Sequence, residues 1–473
     1  MSMHPFRYRP CLIIGPIFAH APLATTIMIL LSILAQIALV VGIIPEFSAW
    51  PCSEDLQATY EAAYAKELAN WLGNTTTDPF YQSLTNVSAY SPGQTIRIEK
   101  INRTRLEQYA IPPGLSLYRM LYQSIDIDDV PVPASAFILL PYTRSLPNVA
   151  SPFKLIVWAH GTSGIERQCA PSNQRGLYYN YEGPFSMALR GYAVIAPDYA
   201  GQGTDTPFNY LAAPSHAADV AYSVVAARET LLRGLITHHW VVVGHSEGGL
   251  TAWATNEREV TNPIGGFLGA VSIAPALQNL HIIRHGLANG SLSGSLFYSA
   301  YTLSTIARLD KSVDITQYFS DVGLELSRLA ATACFNTAAA VFANLTFADI
   351  FKDQTWINSR WAVSWENRTA VRGDKLLAKP LLVIEGLGDL QVYPAIPDAV
   401  FAKHCQNHPD TQAHLSRYPE MGHDAVAFAS QVEYFNWIDD RFNAVQVSEG
   451  CTTATVNSVF TEPDPLHALV VQA

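Results

Sequence analysis

The chain has 473 residues, with 29 Lys+Arg against 40 Asp+Glu for a net charge of −11, and 49% hydrophobic but only 15% charged residues. Soluble domains carry roughly 25% charged residues, so charge is scarce here, while the Gly, Pro and aromatic content excludes a coiled coil or a disordered tail. An acidic balance without Lys/Arg runs excludes nucleic acid as a partner, because phosphate binding depends on clustered basic side chains.

The scarcity of charge is concentrated near the N-terminus. Arg7 and Arg9 are followed by an uncharged stretch up to Glu46, and Leu23–Ile44 reads LATTIMILLSILAQIALVVGII. Crossing a bilayer takes about 20 apolar residues, which this run supplies, whereas a signal peptide has an apolar region of about 7–15. The following Pro45-Glu46-Phe47-Ser48-Ala49 makes a poor cleavage site. An uncleaved signal anchor over residues 23–44 is therefore expected, with residues 1–22 cytosolic by the positive-inside rule and a helical extension over 45–92. A cleaved signal peptide is the second reading and a buried core helix the third. Both leading readings place the remainder in the secretory pathway, as a lumenal or extracellular domain or as a secreted protein.

Two features agree with that compartment. Six Asn-x-Ser/Thr sequons occur, at Asn74, Asn86, Asn102, Asn289, Asn344 and Asn367, and are read as glycosylation sites. With Cys11 on the cytosolic or membrane side, Cys52, Cys169, Cys334, Cys405 and Cys451 remain outside, so at most two disulfides form and one thiol is left over. The absence of a Cys-x-x-Cys spacing disfavours zinc.

From about residue 93 onward, strand and helix signals alternate. Gly93–Ile101, Ser116–Ile125 and Ala134–Leu140 are β-rich runs; FKLIVWAH (Phe153–His160), YAVIAP (Tyr192–Pro197), HWVVVGH (His239–His245), FLGAVSIA (Phe267–Ala274) and KPLLVIEG (Lys379–Gly386) are short and continuously apolar. Such runs suit strands of a parallel sheet covered on both faces. Amphipathic helices are expected at Ala217–Leu232 and Asp424–Phe442. The result is an α/β chain with a mostly parallel, doubly wound sheet, its core formed by 93–276 and 375–473 and interrupted at 277–374 by an inserted, mainly helical segment over the sheet.

The third apolar run leads into Gly244-His245-Ser246-Glu247-Gly248 and then a helix-compatible stretch. A serine on a tight strand-to-helix turn has its hydroxyl exposed beside a helix N-terminus, and Gly244 and Gly248 remove side chains that would collide with sheet and helix. Ser246 is the expected nucleophile. Its base and orienting acid should follow in the order acid, then histidine, each on a loop after a strand. Asp389 follows the LLVIEG strand, and His423 follows the strand candidate Ala413–Tyr418. Glu385 is the rival acid, Asp424 is read as a helix-capping acid, and His404, His408 and His414 as ordinary surface or capping residues. The oxyanion hole should use the amide of Glu247 and an amide of the His160-Gly161-Thr162-Ser163-Gly164 turn, Thr162 being preferred. The Glu247 side chain is read as solvated. No metal or organic cofactor is needed.

These signals, with Asp78-Pro79-Phe80-Tyr81, Tyr122-Gln123-Ser124, Ile138-Leu139-Leu140-Pro141, Cys169-Ala170-Pro171-Ser172, Arg190-Gly191-Tyr192-Ala193-Val194, Pro197-Asp198-Tyr199-Ala200-Gly201, Gly386-Leu387-Gly388-Asp389 and Gly422-His423-Asp424, resemble the secretory lipase family, the lipase A type of α/β-hydrolase. The likeness runs from about Asp78 to the C-terminus. It implies hydrolysis of acylglycerols or other carboxylic esters under a lid, and disulfides Cys169–Cys334 and Cys405–Cys451, with Cys52 unpaired. A membrane anchor departs from that family's pattern. Within the lid, Leu296–Leu303 and Leu329–Phe342 are apolar enough to line an acyl pocket or face a membrane, but for most of these residues the preferred reading is helices packing on the sheet. A hydrolase or acyltransferase acting on a secondary metabolite also fits, and so does a catalytically silent hydrolase-fold receptor. The expected partners are an ester or lipid substrate and the membrane, with no obligate protein partner.

Overall fold

The computed structural model describes residues 54–82, 89–143, 151–289 and 296–459. The chain divides into two compact units, Met1–Glu61 and Ala62–Ala473. Of the first, only the opening of the helix Glu54–Asn70 is described. The proposed span at 23–44 lies outside the described residues, and among those described no helix is long and apolar enough to cross a membrane.

The second unit is built on a ten-stranded sheet. Its strands are β1 (Thr95–Lys100), β2 (Leu115–Ile125), β3 (Pro131–Pro141), β4 (Phe153–Ala159), β5 (Ala193–Pro197), β6 (Ile236–His245), β7 (Phe267–Ile273), β8 (Leu381–Gly386), β9 (Ala413–Tyr418) and β10 (Cys451–Thr455), in the order β1-β2-β3-β5-β4-β6-β7-β8-β9-β10. The pairs from β5 to β10 are parallel, and β1, β2 and β3 join antiparallel at one edge. The mostly parallel sheet read from the apolar runs is what forms, because strands such as Val241–Val243 and Leu381–Ile384 are buried on both faces.

One face carries Val241, Val243, Val271, Ile273, Leu382 and Ile384 against Tyr434, Phe435 and Ile438 of the helix Gln431–Phe442. Alternate residues point the other way, and there Ser272 Oγ donates to the carbonyl of Gly249 (2.7 Å) in the helix Glu247–Thr261. Helices thus cover both faces, and the loops after β4, β6, β8 and β9 open at one end of the sheet.

Three sequence expectations need correction. The helix foreseen at Ala217–Leu232 spans Ala213–Arg228, started by Pro214 in its first turn. The helix foreseen at Asp424–Phe442 is two, Ala425–Ala429 and Gln431–Phe442, separated at Ser430. Strand β10 was not foreseen, because CTTAT has no buried alternation and forms a largely exposed edge.

Between β7 and β8 the chain runs through the helices Asn279–Asn289, Leu296–Leu309, Asp321–Ala330, Phe335–Phe342 and Arg360–Thr369. Several contacts fasten this stretch to the core, among them a disulfide, a buried carboxylate and an ion pair. Cys334 is disulfide-bonded to Cys169, and Cys405 to Cys451 beyond the stretch. The buried carboxylate of Glu67 accepts the amides of Cys334 (2.9 Å) and Thr337 (2.8 Å) at the start of the Phe335–Phe342 helix. Arg368 pairs with Asp128 in the β2–β3 turn (2.5 Å). The Cys169–Cys334 bridge joins positions 165 residues apart, so opening it releases a large loop in the unfolded chain. The double variant Cys169→Ser/Cys334→Ser should lose about 3–5 kcal/mol of stability, read as a fall in the denaturant midpoint.

Candidate active site

Ser246 sits where β6 ends and the helix Glu247–Thr261 begins, at φ 59° and ψ −118°. A non-glycine residue avoids this conformation unless its surroundings enforce it. The Ser246 amide donates to the Ile273 carbonyl (2.9 Å), and its carbonyl accepts from the amides of Leu250 (3.0 Å) and Ala276 (3.2 Å). The glycines make the approach possible. A Cβ at Gly244 would lie 2.1 Å from the Gly248 carbonyl oxygen, one at Gly248 would lie 1.9 Å from that of Ala159, and one at Gly249 would lie 2.5 Å from that of Ile273.

His423 and Asp389 come from the loops after β9 and β8. The Nδ1–H of His423 donates to Oδ2 of Asp389 at 2.6 Å, and both residues are buried. The other carboxylate oxygen, Oδ1, accepts the amides of Gln391 (2.8 Å) and Val392 (2.9 Å), which fixes the carboxylate plane. Burial works against the charged form of His423, but the adjacent Asp389 carboxylate outweighs it, and the imidazole pKa stands above its ordinary 6.5. With Nδ1 protonated, the lone pair of the neutral ring is on Nε2. Gly386 and Gly388 let the two loops meet, since a Cβ at either would come within 2.2 and 2.7 Å of the carbonyl oxygens of Met421 and Glu420.

Ser246, His423 and Thr162 line one cavity of about 30 Å3, room for about one or two water molecules. Its roof is Asn279, Ile282 and Ile283 of one inserted helix with Tyr298 and Ser299 of the next. Gln391 and Val392 close the side, and Tyr298 donates to the Gln391 side chain (3.1 Å).

The turn after β4 is set on a buried polar layer. Asp198 accepts from Ser135 Oγ (2.6 Å), Ser172 Oγ (2.5 Å) and the Ser172 amide (2.7 Å); burial nevertheless pushes its carboxyl up to about 6. His160 stacks on Tyr199 (4.4 Å between ring centroids), and Tyr199 donates to the His160 carbonyl (3.0 Å). Burial holds the His160 pKa down to about 4, so the ring is neutral.

The Glu247 side chain is not solvated as the sequence suggested. It is buried, accepting from Thr162 Oγ1 (3.0 Å), the Leu211 amide (3.0 Å) and His216 Nε2 (3.0 Å). The helix lies against the β4 turn and draws the carboxylate inward. Asp424 needs correction too. It occupies an N-cap position, but its backbone is helical and its side chain makes no capping bond. Instead its carboxylate joins His245 and His423, with ligand atoms within 4.8 Å of one another. A metal ion there would compete with the bonds that His245 and His423 already make. His404, read as a surface or capping residue, is fully buried, edge-on to Trp253. Glu385 is bound by Arg417 (3.2 Å) and stands apart from the His423–Asp389 pair.

Residues 156–435, more than half of the sequence, match the model of the alpha/beta hydrolase family. The chain belongs to the α/β-hydrolase family. A secreted triacylglycerol lipase, LIP1 of Malassezia furfur, is 22% identical over 82% of this chain and 80% of its own length. Lipase A of Candida antarctica in its closed state superposes with a TM-score of 0.67 at 15% identity, covering 83% of this chain and 92% of that one. The rice cell wall degrading esterase LipA of Xanthomonas oryzae gives 0.58 at 18% identity, covering 75% and 100%. These structural likenesses are likenesses of fold.

Within this hydrolase, sequence reading missed Tyr178, Tyr179 and His245, which touch the loops of Thr162 and His423. A Tyr-Tyr pair in a loop has no periodic signal, and His245 occupies a position of Gly244-His245-Ser246-Glu247-Gly248 at which the motif specifies no residue. Removing the Glu247 carboxylate leaves a buried amide and imidazole without their acceptor. Glu247→Ala should therefore cost about 2–3 kcal/mol, measured by chemical denaturation.

Proposed function

We propose that the protein is a carboxylic ester hydrolase working through an acyl-serine intermediate, with Ser246 as nucleophile, His423 as general base and Asp389 as orienting acid. The observation that carries this is the 2.6 Å His423–Asp389 bond, with His423 lining the same small cavity as a serine held at φ 59°. His423 Nε2 takes the Ser246 proton, the alkoxide attacks the ester carbonyl, and the amides of Thr162 and Glu247 receive the oxyanion. The imidazolium then protonates the leaving alcohol, and a water deprotonated by His423 releases the acid.

Triacylglycerol or another acyl ester is the substrate class favoured, on the secreted lipase relative and on the roofed site. The cavity has room of about 30 Å3 and is partly open, so an acyl chain would extend beyond it, past the helices Asn279–Asn289 and Leu296–Leu309. The same relative favours the secretory pathway. Of the sequons, Asn74, Asn102, Asn344 and Asn367 are exposed, as glycan attachment requires. We read Leu23–Ile44 as a signal anchor; carbonate-resistant membrane association of the full chain, lost when residues 23–44 are deleted, would bear this out.

Fluorophosphonate should label the protein, and Ser246→Ala should abolish both labelling and ester cleavage, with a loss on the order of 10⁶ in turnover. Retention of most activity by that variant would overturn the assignment. A series of esters of increasing acyl length, with and without an oil–water interface, separates lipase from esterase.

The pH dependence follows from His423. A general base must be neutral, and its pKa lies above 6.5, so kcat/KM should fall as pH drops through a value above 6.5. Asp389→Asn removes the carboxylate that raises this pKa and should lower kcat by about 10⁴ while moving the acid limb to lower pH. Rate–pH profiles of both proteins check this.

A further inference from the structure

Leu177, Tyr178, Tyr179 and Asn180 all have positive φ (55°, 50°, 61° and 26°). Four successive non-glycine residues in the left-handed region cost free energy and persist only where side-chain contacts over-determine them. The contacts here run to two different parts of the site. Tyr178 donates its hydroxyl to the Thr162 carbonyl at 2.6 Å. Tyr179 reaches Nδ1 of His245 at 2.8 Å, and Nε2 of His245 reaches the carbonyl oxygen of His423 at 2.9 Å.

The proton positions on this second chain follow from its ends. A carbonyl only accepts, so Nε2 of His245 carries the hydrogen. Burial and the neighbouring His423 hold His245 well below its ordinary pKa, so the ring is neutral and Nδ1 is a lone pair needing a donor. Glu182 lies 3.7 Å from Nδ1, beyond hydrogen-bond reach, which leaves the phenol of Tyr179. Burial raises that phenol's pKa well above its ordinary value, so it keeps its proton. The chain is therefore directional, from Tyr179 O–H to His245 and from His245 N–H to the backbone of His423. Gly161 allows it, because a Cβ there would lie 2.0 Å from the Tyr179 oxygen.

We infer that Tyr178 and Tyr179 are paired positioning residues, one phenol setting the oxyanion turn at Thr162 and the other, through His245, setting the height of the base His423. This rests on the reading of Ser246, Asp389 and His423 as the hydrolytic triad. Neither phenol touches the substrate. Both act by fixing backbone that carries reacting groups, from a single strained loop that keeps the two in register.

The test uses Tyr178→Phe, Tyr179→Phe and the double variant in the full chain. Each keeps its ring, so packing against Trp158 and between the two tyrosines is retained. Active serines are titrated with fluorophosphonate, so that only folded molecules are counted, and kcat and KM for p-nitrophenyl butyrate are expressed per titrated site. Each single variant should lose about 10–100-fold in kcat with KM within two-fold of the parent. Tyr178→Phe should also bind a boronic acid transition-state analogue at least ten-fold more weakly. If all three variants keep kcat per titrated site within two-fold, the positioning role is overturned while the hydrolase reading stands. If the parent protein is neither labelled nor active on any ester, both are overturned.

Discussion

The backbone at Ser246 takes a conformation that an L-residue avoids, at a cost of about 1–3 kcal/mol, and the central sheet is arranged around holding it there. At φ 59° the serine turns sharply out of β6. That turn closes only because Gly244, Gly248 and Gly249 let it press on the carbonyls of Ala159 and Ile273, the last residues of the two strands flanking β6. The strain is thus borne by β4, β6 and β7 together, each buried on both faces. Once these three strands are fixed, the loop after β4 must pass beside the serine. The loops after β8 and β9 reach the same end of the sheet because every pair from β5 onward is parallel.

The loops are then held by buried polar groups. Glu247, the residue that follows Ser246, ties the turn after β4 to the helix it starts by accepting from Thr162, and Thr162 in turn lies within 3.2 Å of the Tyr210 hydroxyl. Asp198 gathers β3 and the Pro171–Asn173 turn through Ser135 and Ser172. Such groups are costly to bury and lose more when half-satisfied than an apolar core would. Their effect here is to make the loop geometry single-valued. The Tyr178–Tyr179 loop belongs to the same system but spends backbone strain to reach two targets at once.

Much of this was legible in the sequence, for physical reasons. Val241–Val243 and Leu381–Ile384 announce themselves because parallel strands covered on both faces must be continuously apolar. Ser246 and His423, which line one cavity, and Asp389, which bonds His423, can be picked out because the proposed chemistry would impose their order and their places after strands. Glu247 and Asp424 were misread because a carboxylate in sequence looks solvated or capping by default, and only the fold shows what surrounds it. Tyr178, Tyr179 and His245 act through main-chain carbonyls, and a carbonyl carries no sequence identity, so no pattern of residues could point to them. Strand β10 escaped notice for the converse reason. It is an exposed edge, and its pairing with β9 is set beside the Cys405–Cys451 bridge rather than by apolar side chains.

The inserted helices divide into a fastened part and a part that rests on the site. The segment around Cys334 is bonded covalently to Cys169 and capped by Glu67, and the Arg360–Thr369 helix is tied to the β2–β3 turn through Arg368. Over Ser246, the helix Leu296–Leu309 buries Phe297, Tyr301 and Leu303 and pairs Ser304 with Ser327, while Asn279–Asn289 is held by hydrogen bonds of Arg284 to the Ile357 carbonyl and of the Leu280 amide to Glu366. Hydrogen bonds of this kind contribute about 1 kcal/mol each, whereas the disulfide cannot yield without reduction. An acyl chain entering the site would have to pass these two helices, which line it above a fixed base. Ile282, Ile283, Tyr298 and Ser299 line the cavity on this side, so they are the side chains that such a chain would meet first.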